Sequence, residues 1–242
     1  MILGAIPARW ASRRFPGKAL VEIAGRPLVA WVVKAALAAR TLDAVVVVTD
    51  DERIARAAES AGGRGVVIRR DAASGSDRIA QLLGSDAECA RARIVVNVQG
   101  DEPLLEPAAI DAAVEGIRAE PDADIVTLSR PIRPDERADD PDLVKVAVGE
   151  RGFALYFSRA AIPHGDAGRV HVGLYAFRRD AFDRFAAAAP TALERAESLE
   201  QLRALEIGLR IRVAPFDSRS IGVDVPADVP RVALALSRAV RR

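Results

Sequence analysis

The chain has 242 residues, of which 50% are hydrophobic, and its 35 basic and 34 acidic residues leave a net charge of only +1. This length allows one α/β domain, with or without an appendage, and the composition allows a large buried core. The balanced charge argues against a surface that binds nucleic acid or anionic lipid as a whole, so any anion site must be local.

The sequence also indicates the cellular compartment. A single cysteine, Cys89, excludes an intramolecular disulfide and fits a reducing environment. No basic region precedes the first apolar residues, as a secretory signal would require, and no apolar run approaches the ~20 residues that span a bilayer. We therefore expect a cytoplasmic protein without membrane insertion.

Strand and helix patterns alternate through the first half of the chain. Residues 2–6 predict a buried strand, residues 25–40 have helical periodicity, and residues 45–49 form a β-branched run typical of a parallel strand. This alternation predicts an α/β fold with a doubly wound, mostly parallel sheet. Further strands and helices are predicted at residues 52–61, 66–68, 77–83, 93–98 and 107–119.

The second half of the chain has a different rhythm, with more strands and fewer helices between them. The patterns predict strands at residues 125–128, 143–148, 153–157, 172–177 and 210–214, and helices at residues 179–188, at residues 193–207 and from Pro226 onward. We interpret the middle of the chain as a small mixed β extension.

The first predicted crossover is unusually basic. Residues 6–20 read IPARWASRRFPGKAL and contain Arg9, Arg13, Arg14 and Lys18. Cations packed this closely repel one another unless an anion lies among them, and guanidinium and ammonium groups bind phosphate oxygens well. The alternative is a solvated basic turn, but a turn that follows the first strand of an α/β sheet is where such folds bind ligands.

Two common nucleotide-binding signatures are absent from the sequence. The Gly-Lys pair at residues 17–18 lacks the upstream glycine and the following Ser or Thr of a Walker A loop. The glycines of residues 62–65 follow a predicted helix rather than a strand, so they end that helix. Bound phosphates would therefore depend on arginine and lysine side chains.

Two acidic motifs predict a metal site. Residues 97–103 read NVQGDEP and end the most apolar strand, which places Asp101 after a glycine that allows close backbone approach. Asp224, in GVDVP, also follows a short apolar run. Mg²⁺ prefers oxygen ligands and commonly takes one or two carboxylates together with phosphate and water. Each acid taken alone could instead be a helix cap.

Three weaker motifs complete the set of candidate binding residues. Ser74 and Arg78 open a helix, where amides and a hydroxyl can contact a base or phosphate, or where Ser74 is only a helix cap and Arg78 is solvated. His171 begins a strand. Glu200 and Gln201 are expected to be partly exposed, because helical spacing turns the neighbouring leucines inward.

These segments together resemble 3-deoxy-manno-octulosonate cytidylyltransferases, also called CMP-Kdo synthetases. The matching text is IPARWASRRFPGKAL, SGSDR, VNVQGDEP, ALYFSRAAIP, HVGLYAF, LERAESLEQLRALE and GVDVPADV, in this order along nearly the whole chain. The resemblance implies a Rossmann-like nucleotidyltransferase fold of the nucleotide-diphospho-sugar transferase type. It also implies a homodimer and the magnesium-dependent reaction of CTP with Kdo to CMP-Kdo and pyrophosphate, for lipopolysaccharide biosynthesis.

The resemblance also implies roles for particular residues. Arg9, Arg14 and Lys18 would hold the triphosphate, and Arg9, Lys18 and Asp101 are the candidate catalytic residues. Asp101 and Asp224 would bind the metal, whereas no side chain stands out as a general base. The expected substrate-binding residues are Arg14, Ser74, Arg78, Gln99, His171, Glu200 and Gln201.

We interpret residues 1–242 as one nucleotidyltransferase domain, with a nucleotide-binding part at about 1–120, a sugar-acid and dimer part at about 121–215, and a C-terminal helix that returns to the sheet. Two positions depart from the family. Residues 164–170 replace a longer hairpin, and Arg13 occupies a position that is usually small or polar. A cytidylyltransferase for sialic acid or amino-Kdo, or a non-catalytic nucleotide-sugar-binding protein, therefore stays an alternative.

Overall fold

The structure is a computed structural model that describes residues 1–12, 14–165 and 168–239. It divides the chain into two compact units, Met1–Asp111 with Arg219–Arg242 and Ala112–Ser218. This division does not test the interpretation of the whole chain as one nucleotidyltransferase domain, which stays a prediction.

Strands and helices alternate in the first half of the chain, as the sequence predicts. In chain order the elements are β1 (Ile2–Pro7), β2 (Glu22–Ile23), β3 (Arg26–Pro27), α1 (Leu28–Leu37), β4 (Ala44–Thr49), α2 (Glu52–Ser60), β5 (Arg64–Val67), α3 (Gly75–Ser85), β6 (Ile94–Asn97) and α4 (Pro107–Ala119). The later elements are β7 (Ile125–Pro131), β8 (Lys145–Val148), β9 (Ala154–Ser158), β10 (Arg169–Arg178), α5 (Arg179–Ala187), α6 (Ala192–Glu197), α7 (Glu200–Glu206), β11 (Ile211–Pro215) and α8 (Val229–Ala239).

The first unit contains a parallel sheet in the order β6-β1-β4-β5. The chain runs outward from β1 to β4 and β5 and then returns to β6 on the other side of β1, so the strand order reverses between β1 and β6. Ligands of doubly wound sheets bind at the carboxyl ends of the strands where the order reverses. The fold therefore directs attention to the segments that follow Pro7 and Asn97.

The valines of β4 show why this sheet is buried. Val46, Val47 and Val48 are at most 2% exposed, which matches a parallel strand covered on both faces. The predicted α/β fold with a mostly parallel sheet is confirmed.

The helix predicted over residues 25–40 begins later than expected. Ala24 and Gly25 have positive φ angles of 49° and 78° and form a tight turn between β2 and β3. Two consecutive residues with positive φ suit a two-residue hairpin. Helix α1 then starts at Leu28, directly after Pro27.

The second unit contains a mixed sheet. Strand β7 pairs in parallel with β11 and antiparallel with β10, β10 also pairs antiparallel with β8, and β8 pairs antiparallel with β9. The ring of Phe177 on β10 contacts Phe182 and Phe185 of α5 at centroid distances of 5.3 and 5.6 Å. The mixed β extension predicted from the sequence therefore has its own aromatic core.

The single helix predicted over residues 193–207 is wrong. Ser198 has a φ of 55° and separates α6 from α7. This left-handed conformation cannot continue a right-handed helix, because it turns the backbone out of the hydrogen-bonded ladder. Because of this break, α7 does not continue the periodicity of α6, and Gln201 lies on the buried side of α7.

Within the described ranges, none of the helices combines the length and the apolar character that crossing a bilayer requires.

Candidate functional site

One pocket of the first unit gathers the predicted residues of that unit. It has a volume of about 470 Å³ and contains the segments that follow β1 and β6, where the strand order reverses. This volume lies within the usual range of ligand pockets, roughly 300–1,000 Å³. The predicted residues that line it are Arg9, Arg14, Lys18, Ser74, Arg78, Gln99, Asp101 and Asp224.

Close backbone packing brings together three segments of this pocket, which contain Pro7, Gly75 and Gly100. A Cβ atom on Gly100 would lie 2.6 Å from the carbonyl oxygen of Pro7, and one on Gly75 would lie 3.0 Å from the Pro7 ring. Real Cβ atoms do not approach a backbone oxygen so closely, so glycine is required at position 100. The absent side chain lets the segments after β1 and β6 lie against each other.

Lys18 joins the two candidate metal-binding acids. Its Nζ atom lies 2.7 Å from Oδ2 of Asp101 and 3.8 Å from Oδ1 of Asp224. The lysine side chain is only 15% exposed, and buried charge pairs interact more strongly than solvated ones. Asp101 and Asp224, which lie far apart in the sequence, therefore meet at one ammonium group.

Arg14 is the second cation at these acids. Its Nη2 atom donates to Oδ1 of Asp224 at 2.7 Å, although both side chains are more than half exposed. Such an exposed pair contributes little to stability, at most about 1 kcal/mol. Arg14 and Asp224 therefore stay accessible to a ligand.

Asp228, rather than Asp224, caps the short helical segment Pro226–Asp228 that precedes α8. Its Oδ2 atom accepts hydrogen bonds from the backbone amides of Asp224 and Val225 at 2.8 and 3.0 Å. The carboxylate of Asp224 points instead to Arg14 and Lys18. The alternative of Asp224 as a helix cap is wrong for this reason.

Two glutamates that the sequence analysis missed hold the Asp224 segment beside Asp101. Ser220 Oγ donates to Glu102 at 2.6 Å, and the backbone amide of Arg219 donates to both oxygens of Glu106 at 3.1 and 3.2 Å. The amide of Val223 also donates to the carbonyl of Asp101 at 2.9 Å. The DEP motif was a visible signal for Glu102, but its serine partner lies too far along the chain to be inferred.

The electrostatic state of Glu102 follows from this packing. The pKa of Glu102 is raised to about 7, mainly by desolvation; the hydrogen bond from Ser220 opposes this shift, and the carboxylates of Asp101, Glu106 and Asp224 contribute to it. The acids at this end of the pocket therefore repel one another, and a cation among them would relieve that repulsion.

Ser74 and Arg78 reach the pocket from α3. Ser74 Oγ accepts from the amide of Asp77 and the Asp77 carboxylate accepts from the amide of Ser74, so the predicted helix cap is confirmed. A hydroxyl that accepts in this way keeps its own hydrogen for a further acceptor. Arg78 is 4% exposed and forms an ion pair with Asp50 at 3.3 Å, so its interpretation as a solvated residue is wrong.

Arg9 is exposed and Gln99 is half-buried at the pocket. Arg13 lies outside the described residues, and so do residues 166 and 167 of the short segment 164–170.

His171 lies on β10 of the second unit. Its Nε2 atom is 2.8 Å from the hydroxyl of Thr127, which also donates to the carbonyl of Leu174 at 2.8 Å. Because that hydroxyl has one hydrogen, it accepts from the ring, which places the ring hydrogen on Nε2. Desolvation lowers the pKa of His171 to about 3, so the ring is neutral at neutral pH.

Glu200 and Gln201 begin α7, also in the second unit. The Glu200 carboxylate lies 4.0 Å from Nη2 of Arg203 and is 39% exposed. Gln201 is only 7% exposed, so the expectation that it is partly exposed is wrong. The break at Ser198 sets the register of α7, and Gln201 joins Leu202 on the buried side.

In the part of the chain that the structure describes, no group of three or more His, Cys, Asp or Glu side chains is arranged to hold a metal ion. The pair of Asp101 and Asp224 nevertheless fits Mg²⁺, which takes one or two carboxylates and completes its shell with phosphate and water. The ammonium of Lys18 on both carboxylates marks a place where positive charge is stabilised.

Comparison with known proteins agrees with this fold. A model of the cytidylyltransferase family matches residues 3–211, which is most of the chain. The chain therefore belongs to the cytidylyltransferase family.

Its relatives include proteins named 3-deoxy-manno-octulosonate cytidylyltransferase. That of Anaeromyxobacter dehalogenans is 48% identical over 238 residues, which cover 96% of each protein. That of Synechococcus elongatus is 44% identical over 236 residues, which cover 95% of this chain and 96% of the relative. A solved structure of CMP:2-keto-3-deoxy-manno-octonic acid synthetase complexed with CTP is 36% identical, with a TM-score of 0.90 and coverage of 98% of this chain and 99% of that one.

Proposed function

We propose that the protein transfers CMP from CTP to 3-deoxy-manno-octulosonate (Kdo) and releases pyrophosphate. The observation that carries this proposal is the Lys18 ammonium shared by Asp101 and Asp224, in a pocket that the cationic loop also lines. The names of the relatives supply the substrates, since several are 3-deoxy-manno-octulosonate cytidylyltransferases and a similar structure holds CTP.

The loop cations would hold the triphosphate. Arg9, Arg14 and Lys18 line the same pocket, and a triphosphate carries enough negative charge to balance all of them. Arg14 donates a hydrogen bond to Asp224, and Lys18 donates one to Asp101. Phosphate oxygens would compete with these carboxylates, so binding would rearrange the pairs rather than create new buried charge.

The reaction would form one bond and break another at the α-phosphorus of CTP. The anomeric hydroxyl oxygen of Kdo would bond to that phosphorus and lose its proton to water, and the bond to the bridging oxygen of pyrophosphate would break in line with it. Such transfers depend mainly on positioning and on neutralising charge. Lys18 and Arg9 would offset the charge that builds on the departing pyrophosphate, which makes them, with Asp101, the proposed catalytic residues.

Three further residues would place the nucleotide. Ser74 retains its hydroxyl hydrogen while it caps α3, Arg78 is fixed by Asp50, and Gln99 offers an amide to the pocket. A donor, a cation and an amide are suited to a polar base and ribose.

Asp101 and Asp224 would hold Mg²⁺. When bound, the ion would supply Lewis-acid polarisation of the phosphate and lower the pKa of the attacking hydroxyl. The contribution of the protein is to keep these two acids adjacent, through Glu102, Glu106 and the amide of Val223.

His171, Glu200 and Gln201 of the second unit are proposed to bind the sugar acid. A neutral His171 would act as a hydrogen-bonding group, because its low pKa excludes a charged imidazolium at neutral pH. We also propose a cytoplasmic homodimer whose product supplies lipopolysaccharide biosynthesis, as the resemblance to Kdo cytidylyltransferases implies.

The test is pyrophosphate release from CTP with Mg²⁺ across a panel of Kdo, amino-Kdo and sialic acid. We expect rapid release with Kdo and at most slow release with the other acids. CTP binding without release for any acid would contradict the enzyme assignment, and faster release with sialic acid would contradict the substrate.

A further inference from the structure

The cationic loop is organised around the backbone of Trp10. The carbonyl oxygen of Trp10 accepts hydrogen bonds from the amides of Ser12 and Gly17, both at 2.9 Å. These bonds fold the loop back on itself, although its cations repel one another. The Trp10 carbonyl is therefore one fixed point of the loop that carries Arg14 and Lys18.

The indole ring of Trp10 packs closely against Arg53 and Gly17. The guanidinium of Arg53 lies over the ring, 3.7 Å from its centroid, and two hydrogen bonds to Asp51 at 2.9 and 2.6 Å fix that arginine. A Cβ atom on Gly17 would lie 2.8 Å from the ring, so only glycine fits there, with a φ of 73°. The ring is thus a fixed support for the loop.

Asp50 connects this support to α3. Its Oδ1 atom accepts from the amide of Trp10 at 3.0 Å, and its Oδ2 atom accepts from Nη2 of Arg78 at 3.3 Å. The other terminal nitrogen of Arg78, Nη1, donates to the carbonyl of Ile68 at 3.1 Å. One carboxylate therefore ties the cationic loop to the arginine at the opposite segment of the pocket.

We infer that Asp50 is a positioning residue that sets the distance between the phosphate-binding loop and Arg78 and so determines affinity for CTP. Asp50 acts through Trp10 and Arg78 rather than through the nucleotide itself. The inference rests on the proposed function, because it assumes that a nucleoside triphosphate occupies this pocket.

Two substitutions test these contacts. Asp50→Ala removes both hydrogen bonds and leaves the buried charge of Arg78 without its acid. Asp50→Asn keeps the shape of the side chain but has one acceptor oxygen and no charge. That oxygen can accept from Trp10 or from Arg78, and the ion pair with Arg78 is lost. Hydrogen bonds to charged groups are strong enough that we expect CTP affinity to fall by about thirtyfold in Asp50→Ala and by about tenfold in Asp50→Asn.

The experiment is calorimetric titration of CTP into the protein with Mg²⁺ and without sugar acid, followed by steady-state kinetics. KM for CTP should rise by the same factors as the dissociation constant, whereas KM for Kdo should stay within about twofold. Asp139→Asn is the matched control, because it removes one carboxylate from an exposed pair with Arg137 and should leave both constants unchanged.

The outcomes distinguish this inference from the function on which it rests. Failure of the wild-type protein to bind CTP would contradict the proposed function. Normal CTP affinity in Asp50→Asn, beside a wild type that binds, would overturn the role of Asp50. Hydrogen exchange of the wild-type protein gives a second test without any variant: the Trp10 amide should be protected, and exchange at the rate of an unstructured peptide would also overturn it.

Discussion

The two units use polar side chains in different ways. In the first unit, Arg14 and Asp224 form an ion pair at the pocket in which both side chains are more than half exposed. In the second unit, Lys145 is fully buried, and its ammonium donates to the carbonyls of Asp140, Leu143 and Arg159 at 2.7, 2.6 and 2.5 Å. The charges of Arg14 and Asp224 stay available to a ligand, whereas the ammonium of Lys145 is hydrogen-bonded within the fold.

The lysines of the chain make the same contrast. The sequence has only Lys18, Lys34 and Lys145, and every other basic side chain apart from histidine is arginine. Lys18 lies in the pocket, Lys145 is buried among carbonyls and Lys34 is exposed on α1. A compact ammonium with three donors suits three converging carbonyls, whereas the planar fork of arginine does not. Residue type therefore does not reveal function until the partners are known.

The largest expected effect is a loss of turnover from a substitution in the pocket of the first unit. Asp101→Asn removes one negative charge from the pair that Lys18 joins, and we expect turnover to fall by about 10³-fold, because charge placed for the transition state is lost. Pyrophosphate release at saturating CTP and Kdo measures this change. A variant that melts like the wild type and retains near-normal turnover would contradict the role of Asp101.

Lys18→Ala tests the ammonium of the pocket. We expect a loss of about 10²-fold in kcat/KM, because the charge on the departing pyrophosphate is no longer offset. Lys34→Ala is the matched control, since it removes the same group from an exposed position of α1 and should change kcat/KM by less than about twofold. Equal effects of the two substitutions would mean that Lys18 has no special role.

Lys145→Met tests the other side of the comparison. It leaves three carbonyl oxygens without their shared donor, so we expect the free energy of unfolding to fall by about 2–3 kcal/mol. Denaturant unfolding measures this loss, with Lys34→Met as the exposed control. Unchanged stability would show that water replaces the ammonium at no cost.

The last effect concerns the pH dependence of His171. Its pKa of about 3 in the folded protein lies below the unfolded value near 6.5, so between these pH values the unfolded chain binds more protons. The contribution of His171 to stability is therefore present above pH 6.5 and is lost as the pH falls, by at most about 1.4 kcal/mol per pH unit. The difference in unfolding free energy between the wild type and His171→Gln should shrink from pH 7 to pH 4, and a difference independent of pH would contradict the low pKa.

Much of the fold follows from the sequence because its signals are local. The valines of β4 and the acids that open α2 gave strand and helix positions close to those observed. The start of α1 was missed because Ala24 adopts a positive φ that its residue type does not signal, and the break at Ser198 was missed for the same reason.

The pocket was predictable where residues follow strands, because parallel strands present their carboxyl ends at one edge. That rule accounts for Lys18 and Asp101. The bonds from Ser220 to Glu102 and from Asp50 to Arg78 connect segments far apart in the chain, so sequence spacing could not reveal them. The buried position of Gln201 depends on the break before α7 and was out of reach for the same reason.

The most direct measurement of the central claim is a crystal structure of the protein with Mg²⁺ and a non-hydrolysable CTP analogue. The account predicts triphosphate density among Arg9, Arg14 and Lys18, with the metal between that density and the carboxylates of Asp101 and Asp224. A nucleotide bound elsewhere, with Lys18 still paired to Asp101 in a pocket without phosphate, would contradict it.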